Sequence, residues 1–434
     1  MRDAGRHGLS VALVALAVPA LAACSSARKP RPPPDLSAVT ETFAPAKATL
    51  GAALGVAKIL SLDGATRAAQ LDRLGALGVS VVRRDFLWAE LEPSPGAFDF
   101  AAEDAAVDDS AARGLVTIGL LAYDAPWAAA DGDIATPPDP QKFAAFVEAT
   151  VKHFAGRVDT WEIWNEPNVS TFWKPRGDGF EYAKLLAAAA PAVRRANPKA
   201  TVLLGGLLYH EEAIVVGADS FLEDAFTFNP DLGSLFDVLA LHPYVRYPPQ
   251  APPEQQDSRE QPVGEIVARM RALLAYYGAP KPVWVTEYGW PIYGTVDEAT
   301  QARFTVRGAV EAMAAGAERV CIYTLDDGPN PTAFPPEDAF GLYRNDGTAK
   351  RAATALHTLA SIDPALALTA ADTSTAGLRR YSLASAATRV DLVFAVDGAM
   401  HDLGAPAGAM VLGLDGAATS ATTVGADPLF VVSR

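Results

Sequence analysis

Cysteine is nearly missing from this sequence of 434 residues: there are two, Cys24 and Cys321. A disulfide framework is therefore excluded, and stability has to come from a packed core, for which 50% hydrophobic content in a chain of this length is ample. The six histidines, His7, His153, His210, His242, His357 and His401, show no HxH or HExxH spacing. No metal site and no cofactor are expected from them. No basic run occurs in the part that reads as folded, and the formal charge is −15, which argues against nucleic acid as a partner. A GxSxG elbow is lacking, so an exported esterase has no support. The N-terminal apolar run, residues 9–23, falls short of the ~18 to 20 residues a membrane-spanning helix needs. No internal repeat is evident.

What is present begins with that short run. Arg2 and Arg6 precede it, the pattern of a secretory signal. It ends in Leu21-Ala22-Ala23-Cys24-Ser25, which resembles a bacterial lipobox. The resemblance implies cleavage before Cys24 and lipid attachment to it, hence an exported, membrane-anchored lipoprotein of the bacterial cell envelope. The alternative is an ordinary signal peptide with a Cys near its end. Residues 1–24 are read as the signal and 25–49 as a linker, where Pro30, Pro32, Pro33, Pro34 and Pro45 favour an extended spacer. Cys321 lies alone in the apolar run Val320-Cys321-Ile322-Tyr323 and is not expected to be a catalytic thiol.

From residue 54 onward, short apolar runs alternate with longer amphipathic ones. Strands are expected at 54–57, 79–83, 116–121, 160–164, 202–204, 238–241, 283–287 and 320–323, with helical patterns such as 65–77, 141–154, 182–196, 263–277 and 300–315 between them. Strands separated by helices pair in parallel, and eight such units make an α/β fold, a closed (β/α)8 TIM barrel over residues 50–361. After residue 361 the texture changes to β-type runs at 377–383, 389–396, 410–414 and 429–432, with turn signals at Asp397-Gly398 and Asp415-Gly416. Residues 362–434 therefore read as a small antiparallel, β-sandwich-like accessory domain. Packing support is its expected role, with a carbohydrate-binding module as the alternative.

Two of the barrel runs end in a carboxylate: Trp161-Glu162-Ile163-Trp164-Asn165-Glu166-Pro167-Asn168 and Val283-Trp284-Val285-Thr286-Glu287-Tyr288-Gly289. Either glutamate alone could be a solvated strand end or the partner of an Arg. Together, Glu166 and Glu287 are the pair that glycosidic cleavage requires, one as proton donor and one as nucleophile or base. Alternation places Glu162, Trp164 and Glu166 on one face of the fourth strand and Val283, Val285 and Glu287 on one face of the seventh; both sets are expected to face the barrel interior. Glu162 then sits deep and needs a partner, for which Arg83, sharing inward parity with Val79 and Val81, is the candidate.

The Asn-Glu-Pro strand and Thr286-Glu287-Tyr288-Gly289-Trp290 resemble the active-site strands of retaining glycoside hydrolases of the (β/α)8 clan that includes families 5, 10 and 39, family 39 most of all. The resemblance implies Glu166 as acid/base, Glu287 as nucleophile and Asn165 as donor to the sugar 2-hydroxyl. In the run Val82-Arg83-Arg84-Asp85-Phe86, followed by Trp88, Glu92 and Pro93, it places Arg83 near the nucleophile, so Arg83 is either a structural partner of Glu162 or part of the site. His242 and Tyr244, in His242-Pro243-Tyr244, would orient nucleophile and sugar.

Of the seven tryptophans, Trp161 and Trp284 are expected to face the helices. Trp88, Trp127, Trp173 and Trp290, in expected loops, are candidate walls for sugar rings. One departure stands out: many clan members carry Trp at the end of strand eight, where this chain reads Tyr323-Thr324-Leu325-Asp326-Asp327. The expectation is a monomeric retaining β-glycosidase acting on an oligo- or polysaccharide by double displacement. The net charge favours neutral or amino-sugar-containing glycans. The alternative is a non-catalytic glycan-binding lipoprotein on the same fold.

Overall fold

The computed structural model describes residues 36, 39, 43–57, 60–61, 63–244, 249–255 and 261–433. Cys24 and the signal and most of the linker lie outside the described residues. Eight parallel strands close into a barrel in chain order: β1 (Leu54–Ala57), β2 (Val81–Leu87), β3 (Val116–Ala122), β4 (Thr160–Asn165), β5 (Thr201–Leu208), β6 (Val238–His242), β7 (Val283–Tyr288) and β8 (Ala317–Tyr323). Closure is made by β8 pairing with β1, Leu54 opposite Val320 through Ala57 opposite Tyr323. The expected (β/α)8 architecture is the observed one. Each strand is followed by a helix: α1 (Gly64–Leu77), α2 (Ala101–Ala111), α3 (Pro140–Phe154), α4 (Gly179–Ala196), α5 (Ala218–Phe228), α6 (Val263–Tyr276), α7 (Glu298–Ala314) and α8 (Arg351–Ser361).

The helix starts carry their own signals. Asp63, Asp139, Asp178 and Asp297 each precede a helix and accept hydrogen bonds from its first free N–H groups, as Asp139 does from Gln141 and Lys142 at 3.0 and 2.9 Å. Inside the barrel, Ala57, Val81, Ile118, Leu203, Val238, Ala240, Trp284 and Cys321 form one cluster. The opposite strand faces pack on the helices: Phe86 sets its ring edge-on to Phe154 of α3 and to Trp161.

Alternation fails at two of the strand ends that matter. On β7 the inward residues are Trp284 and Thr286, whereas Val283 and Val285 belong to the outer core. The expectation that Val283 and Val285 line the interior, and that Trp284 faces the helices, is thereby corrected. The cause is a shift of the β7–β8 register between Val285 and Tyr288, which re-aims Glu287 into the mouth. On β4, Trp164 is also turned out of the interior, against Phe143 of α3 and against Trp173. Its φ of 70° lies in the left-handed region and breaks the period-two pattern.

The C-terminal part forms a six-stranded antiparallel sheet, with β9 (Ala367–Asp372), β10 (Leu378–Ala384), β11 (Arg389–Ala395), β13 (Met410–Leu412), β14 (Ala418–Thr419) and β16 (Leu429–Ser433) in the order β14-β13-β16-β11-β10-β9. A two-stranded ribbon, β12 (His401–Asp402) with β15 (Thr423–Val424), covers one face through Leu403 and Val424 on Leu378, Val393 and Val431. The other face, with Tyr381, Leu383, Leu392 and Phe394, is continuous with the outer core of the barrel, and the Arg307 guanidinium of α7 sits 4.7 Å from the centre of the Phe394 ring. No helix among the described residues is long and apolar enough to cross a membrane.

Candidate active site

The site is assembled at the C-terminal ends of the strands, beginning with β4. Glu166 has φ of 42°, and it and Trp164 are the non-glycine residues with positive φ among the described residues. Such backbone persists only where the surroundings impose it. Here they do: Glu166 N–H donates to Gly206 O at 3.0 Å, and the buried Asn168 amide donates to Leu208 O and Val216 O, both at 2.7 Å. Two glycines of β5 make room. A Cβ on Gly205 would lie 2.5 Å from Ile163 O, and one on Gly206 would lie 2.2 Å from His242 Nε2. Gly206 N–H meanwhile donates to Glu162 at 2.9 Å.

Arg83 is the hub of the charges. Its Nε and Nη2 donate to the two oxygens of Glu162 at 2.9 Å each, its Nη2 to Asn165 Oδ1 at 2.9 Å and its Nη1 to Glu287 Oε2 at 3.3 Å. Burial works against its charge, but Glu162 and Glu287 outweigh burial and hold it well above its usual range. Both roles open to Arg83 are thus filled at once: it neutralises the deep Glu162 and reaches the site carboxylate. Glu287 also accepts from the Tyr244 hydroxyl at 2.7 Å. Burial raises the Glu287 carboxyl, while Arg83 and Tyr244 oppose the rise.

Glu166 has a different neighbour. Its Oε1 lies 2.8 Å from His242 Nδ1, and His242 Nε2 lies 3.1 Å from the Thr286 hydroxyl. His242 is fully buried, which pushes it down to about 4 and leaves it neutral at pH 7. Burial pushes Glu166 up to about 7; Arg83 opposes and Glu162 adds to the rise. One ligand atom each of Glu166, His242 and Glu287 lies within 4.8 Å of the other two. A metal ion could use such a spacing, but Arg83 beside Glu287 already supplies the positive charge and repels another cation, and His242 Nδ1 is engaged by Glu166.

The structure thus brings together Glu166, Glu287, Asn165, Arg83, His242 and Tyr244, and it separates most of the tryptophans from them. Trp88 is 1% exposed, stacked on Phe146 and bonded through Nε1 to Glu92 at 2.7 Å. Trp173 is 1% exposed, against Trp164 and Tyr182, and Trp290 is 2% exposed, against Tyr288 and Phe304. The expectation that these three wall the sugar site is corrected: an aromatic face covered by protein has none to offer a sugar. Trp127, half-buried with its Nε1 on Glu92 O at 2.7 Å, keeps an open edge.

Three further residues take up the open positions: Tyr123 and Asp85, given no role in the sequence, and Tyr323, the departure noted at the end of strand eight. Tyr123, at the end of β3, is half-buried, parallel to Phe172 at 5.7 Å. Asp85 follows Arg83 by two along β2; its neighbours Arg84 and Phe86 face the helices, paired with Glu103 and Phe154, so Asp85 faces the mouth. Tyr323, half-buried where the clan more often has Trp, packs edge-on to Phe340 at 5.3 Å, and Phe340 in turn meets Tyr244 at 6.2 Å. Asp85 stands within the Arg-Arg-Asp run, so its inward parity was a readable signal. Cys321 points into the dry barrel interior, and burial pushes its thiol up to about 12.

Comparison with known proteins follows the same stretch of chain. The sequence model described as Glycosyl hydrolases family 39 matches residues 121–317. A beta-xylosidase from Geobacillus stearothermophilus is 30% identical over 193 residues, 41% of this chain and 37% of that protein, so the match spans well under half of the relative's length. Among solved structures, a family 39 glycoside hydrolase from the gut symbiont Bacteroides cellulosilyticus WH2 superposes with a TM-score of 0.69 at 19% identity, over 89% of this chain and 81% of that one. The GH39 enzyme from Xanthomonas axonopodis pv. citri gives a TM-score of 0.61 at 16% identity, over 90% and 95%. At these identities the two structures attest the fold. The segment from the end of β3 to the first residue of β8, which holds Asn165, Glu166, His242, Tyr244 and Glu287, matches the glycosyl hydrolases of family 39.

Proposed function

We propose that the protein is a retaining β-glycosidase that hydrolyses glycan chains by double displacement, tethered to the bacterial cell envelope through a lipid on Cys24. The observation that carries the reading is the pairing of two buried carboxyls, with oxygens within 4.8 Å, one beside His242 and the other beside Arg83 and Tyr244. A close pair of this kind suits retention (~5 to 5.5 Å); inverting enzymes leave ~6.5 to 9.5 Å for a water.

Glu287, whose carboxylate form Arg83 and Tyr244 favour against the opposing effect of burial, attacks the anomeric carbon, and the bond from that carbon to the leaving oxygen breaks. Glu166, protonated because it is buried beside a neutral His242, gives its proton to that oxygen. Once Glu287 is esterified, its charge no longer stands beside Glu166, which now takes a proton from water as the water oxygen attacks the same carbon and releases Glu287. Two inversions restore the starting configuration. Asn165, held by Arg83, faces the sugar from the β4 side. Asp85, an acceptor in the mouth, favours sugars with hydroxyl or amino groups over uronic acids, in keeping with the charge of −15. A β-xyloside is the first substrate to try, since the Geobacillus relative is called a beta-xylosidase.

A panel of aryl β-glycosides and envelope polysaccharides tests the activity. Glu166→Gln is expected to lose most of its rate, on the order of 100-fold or more, on poor leaving groups and far less on activated aryl glycosides, because the latter depart without a proton. Equal losses on both would contradict its role as acid. A wild-type protein that binds glycans and hydrolyses none would contradict the reading as an enzyme.

A further inference from the structure

Two large aromatic side chains stand exposed on the same end of the barrel as the carboxylates, and neither is used by the site described above. Tyr293, 37% exposed, lies in the loop between β7 and α7; Phe334, 68% exposed, lies in the loop between β8 and α8. Their ring centres are 5.8 Å apart at an interplanar angle of 42°. A phenyl ring this open to water forgoes the benefit of burial, and an adjoining pair is a surface with a task.

The loops that carry the pair are fastened. Ile292 N–H donates to Ala339 O at 3.0 Å, joining one loop to the other. Asp338 closes the base of the second: its carbonyl accepts from Gly328 at 3.0 Å and its carboxylate from Asn330 at 2.9 Å. Gln250 accepts from Thr295 at 3.2 Å and steadies the first. Both loops are also continuous with the site. The first leaves β7 just after Glu287, and the second carries Phe340, which packs on Tyr323 and Tyr244.

We infer that Tyr293 and Phe334 form a stacking platform for a further sugar of the bound glycan, on the glycone side of the bond that is cut. The side follows from the barrel. In a closed ring of eight strands β8 lies opposite β4, and β4 brings Glu166, the donor to the leaving group. The leaving part of the chain is therefore held toward β4, and the part retained by Glu287 runs toward β7 and β8. Sugar rings present apolar C–H faces to flat aromatic groups, so a neutral pyranose chain is the occupant that fits. The enzyme then grips more than one sugar on the glycone side and releases oligosaccharides. This inference rests on the glycosidase reading above.

The test uses aryl β-glycosides carrying one, two and three units of the sugar that the wild-type protein hydrolyses. Both residues are exposed, so the Tyr293→Ala, Phe334→Ala double variant is expected to keep its melting temperature. On the three-unit glycoside kcat/KM should fall about tenfold, mostly through KM, whereas on the one-unit glycoside it should stay within about twofold. Phe334→Trp should restore the preference for length. Equal effects on all three glycosides, or none on any, overturn the platform and leave the glycosidase reading standing. Failure of the wild-type protein on every glycoside overturns both.

Discussion

Glu166 and Glu287 are chemically the same side chain, and the groups around each divide their labour. Glu287 is held by a cation and a hydroxyl, whereas Glu166 is held by a neutral imidazole. Activity should therefore decline as pH rises through about 7, where Glu166 loses its proton, and also at low pH as Glu287, itself raised by burial, becomes protonated. A pH profile of kcat/KM without the basic limb near 7 would count against Glu166. Stability carries the same signature. The folded protein holds the Glu166 proton up to about 7 and the unfolded chain only to the ordinary 4.5, so this group's stabilising share is complete below 4.5 and is lost as pH rises toward 7. Glu166→Gln should then be more stable than wild type above pH 7, by on the order of 3 kcal/mol, with little difference near pH 4, as read from denaturant melts. Arg83 gives a contrasting case. Arg83→Met strands Glu162 without its partner and should cost about 3 to 5 kcal/mol, much of it recovered in the double variant with Glu162→Gln. The Arg83–Glu162 pair was legible in the sequence, because a carboxylate deep in an apolar strand demands a cation and only one strand offered it at matching parity.

At the scale of the element, the strands were readable because buried parallel strands are nearly continuous apolar runs, and the helices because amphipathic stripes mark them. What could not be read has a local cause in each case. Helix α2 is built from small and acidic residues and shows little apolar stripe, and β9 is a half-exposed strand of alanines and polar residues. The inward and outward faces of β4 and β7 went astray because a left-handed Trp164 and a register shift after Val285 are backbone events, with no hydrophobic pattern to announce them. The turn on β4 is enabled from elsewhere, by the Gly205-Gly206 pair of β5. Gly206→Ala should push the new methyl into His242 and Glu162, cut kcat by on the order of 100-fold and destabilise by about 1 to 3 kcal/mol. Gly75→Ala, on the surface of α1 with open space around it, is the control and should leave kcat unchanged while raising stability by about 0.5 to 1 kcal/mol. A Gly206→Ala variant with normal activity would show that the left-handed turn at Glu166 does not depend on this close approach.

At the scale of the molecule, counting tryptophans did not reveal which of them meet solvent, since burial depends on how loops fold back over the barrel; three of the four loop tryptophans became core, and the aromatics left open at the mouth include Trp127, Tyr123, Tyr323, Tyr293 and Phe334. The C-terminal sheet shares its apolar face with the barrel, so a chain ended after residue 361 should uncover part of the barrel's outer core and aggregate, while the full chain melts in one transition. The proposed anchor is a property of the whole chain as well. Wild-type protein should partition with membranes and carry acyl mass, and Cys24→Ser should release it with its hydrolytic rate nearly unchanged. The central claim, that two carboxylates a few ångströms apart act in turn on one carbon, is tested most directly by proton NMR of the hydrolysis as it proceeds. A β-glycoside should give the β-anomer as its first product, with the α-anomer appearing later by mutarotation; an α-anomer formed first would mean direct attack by water and would contradict the role assigned to Glu287.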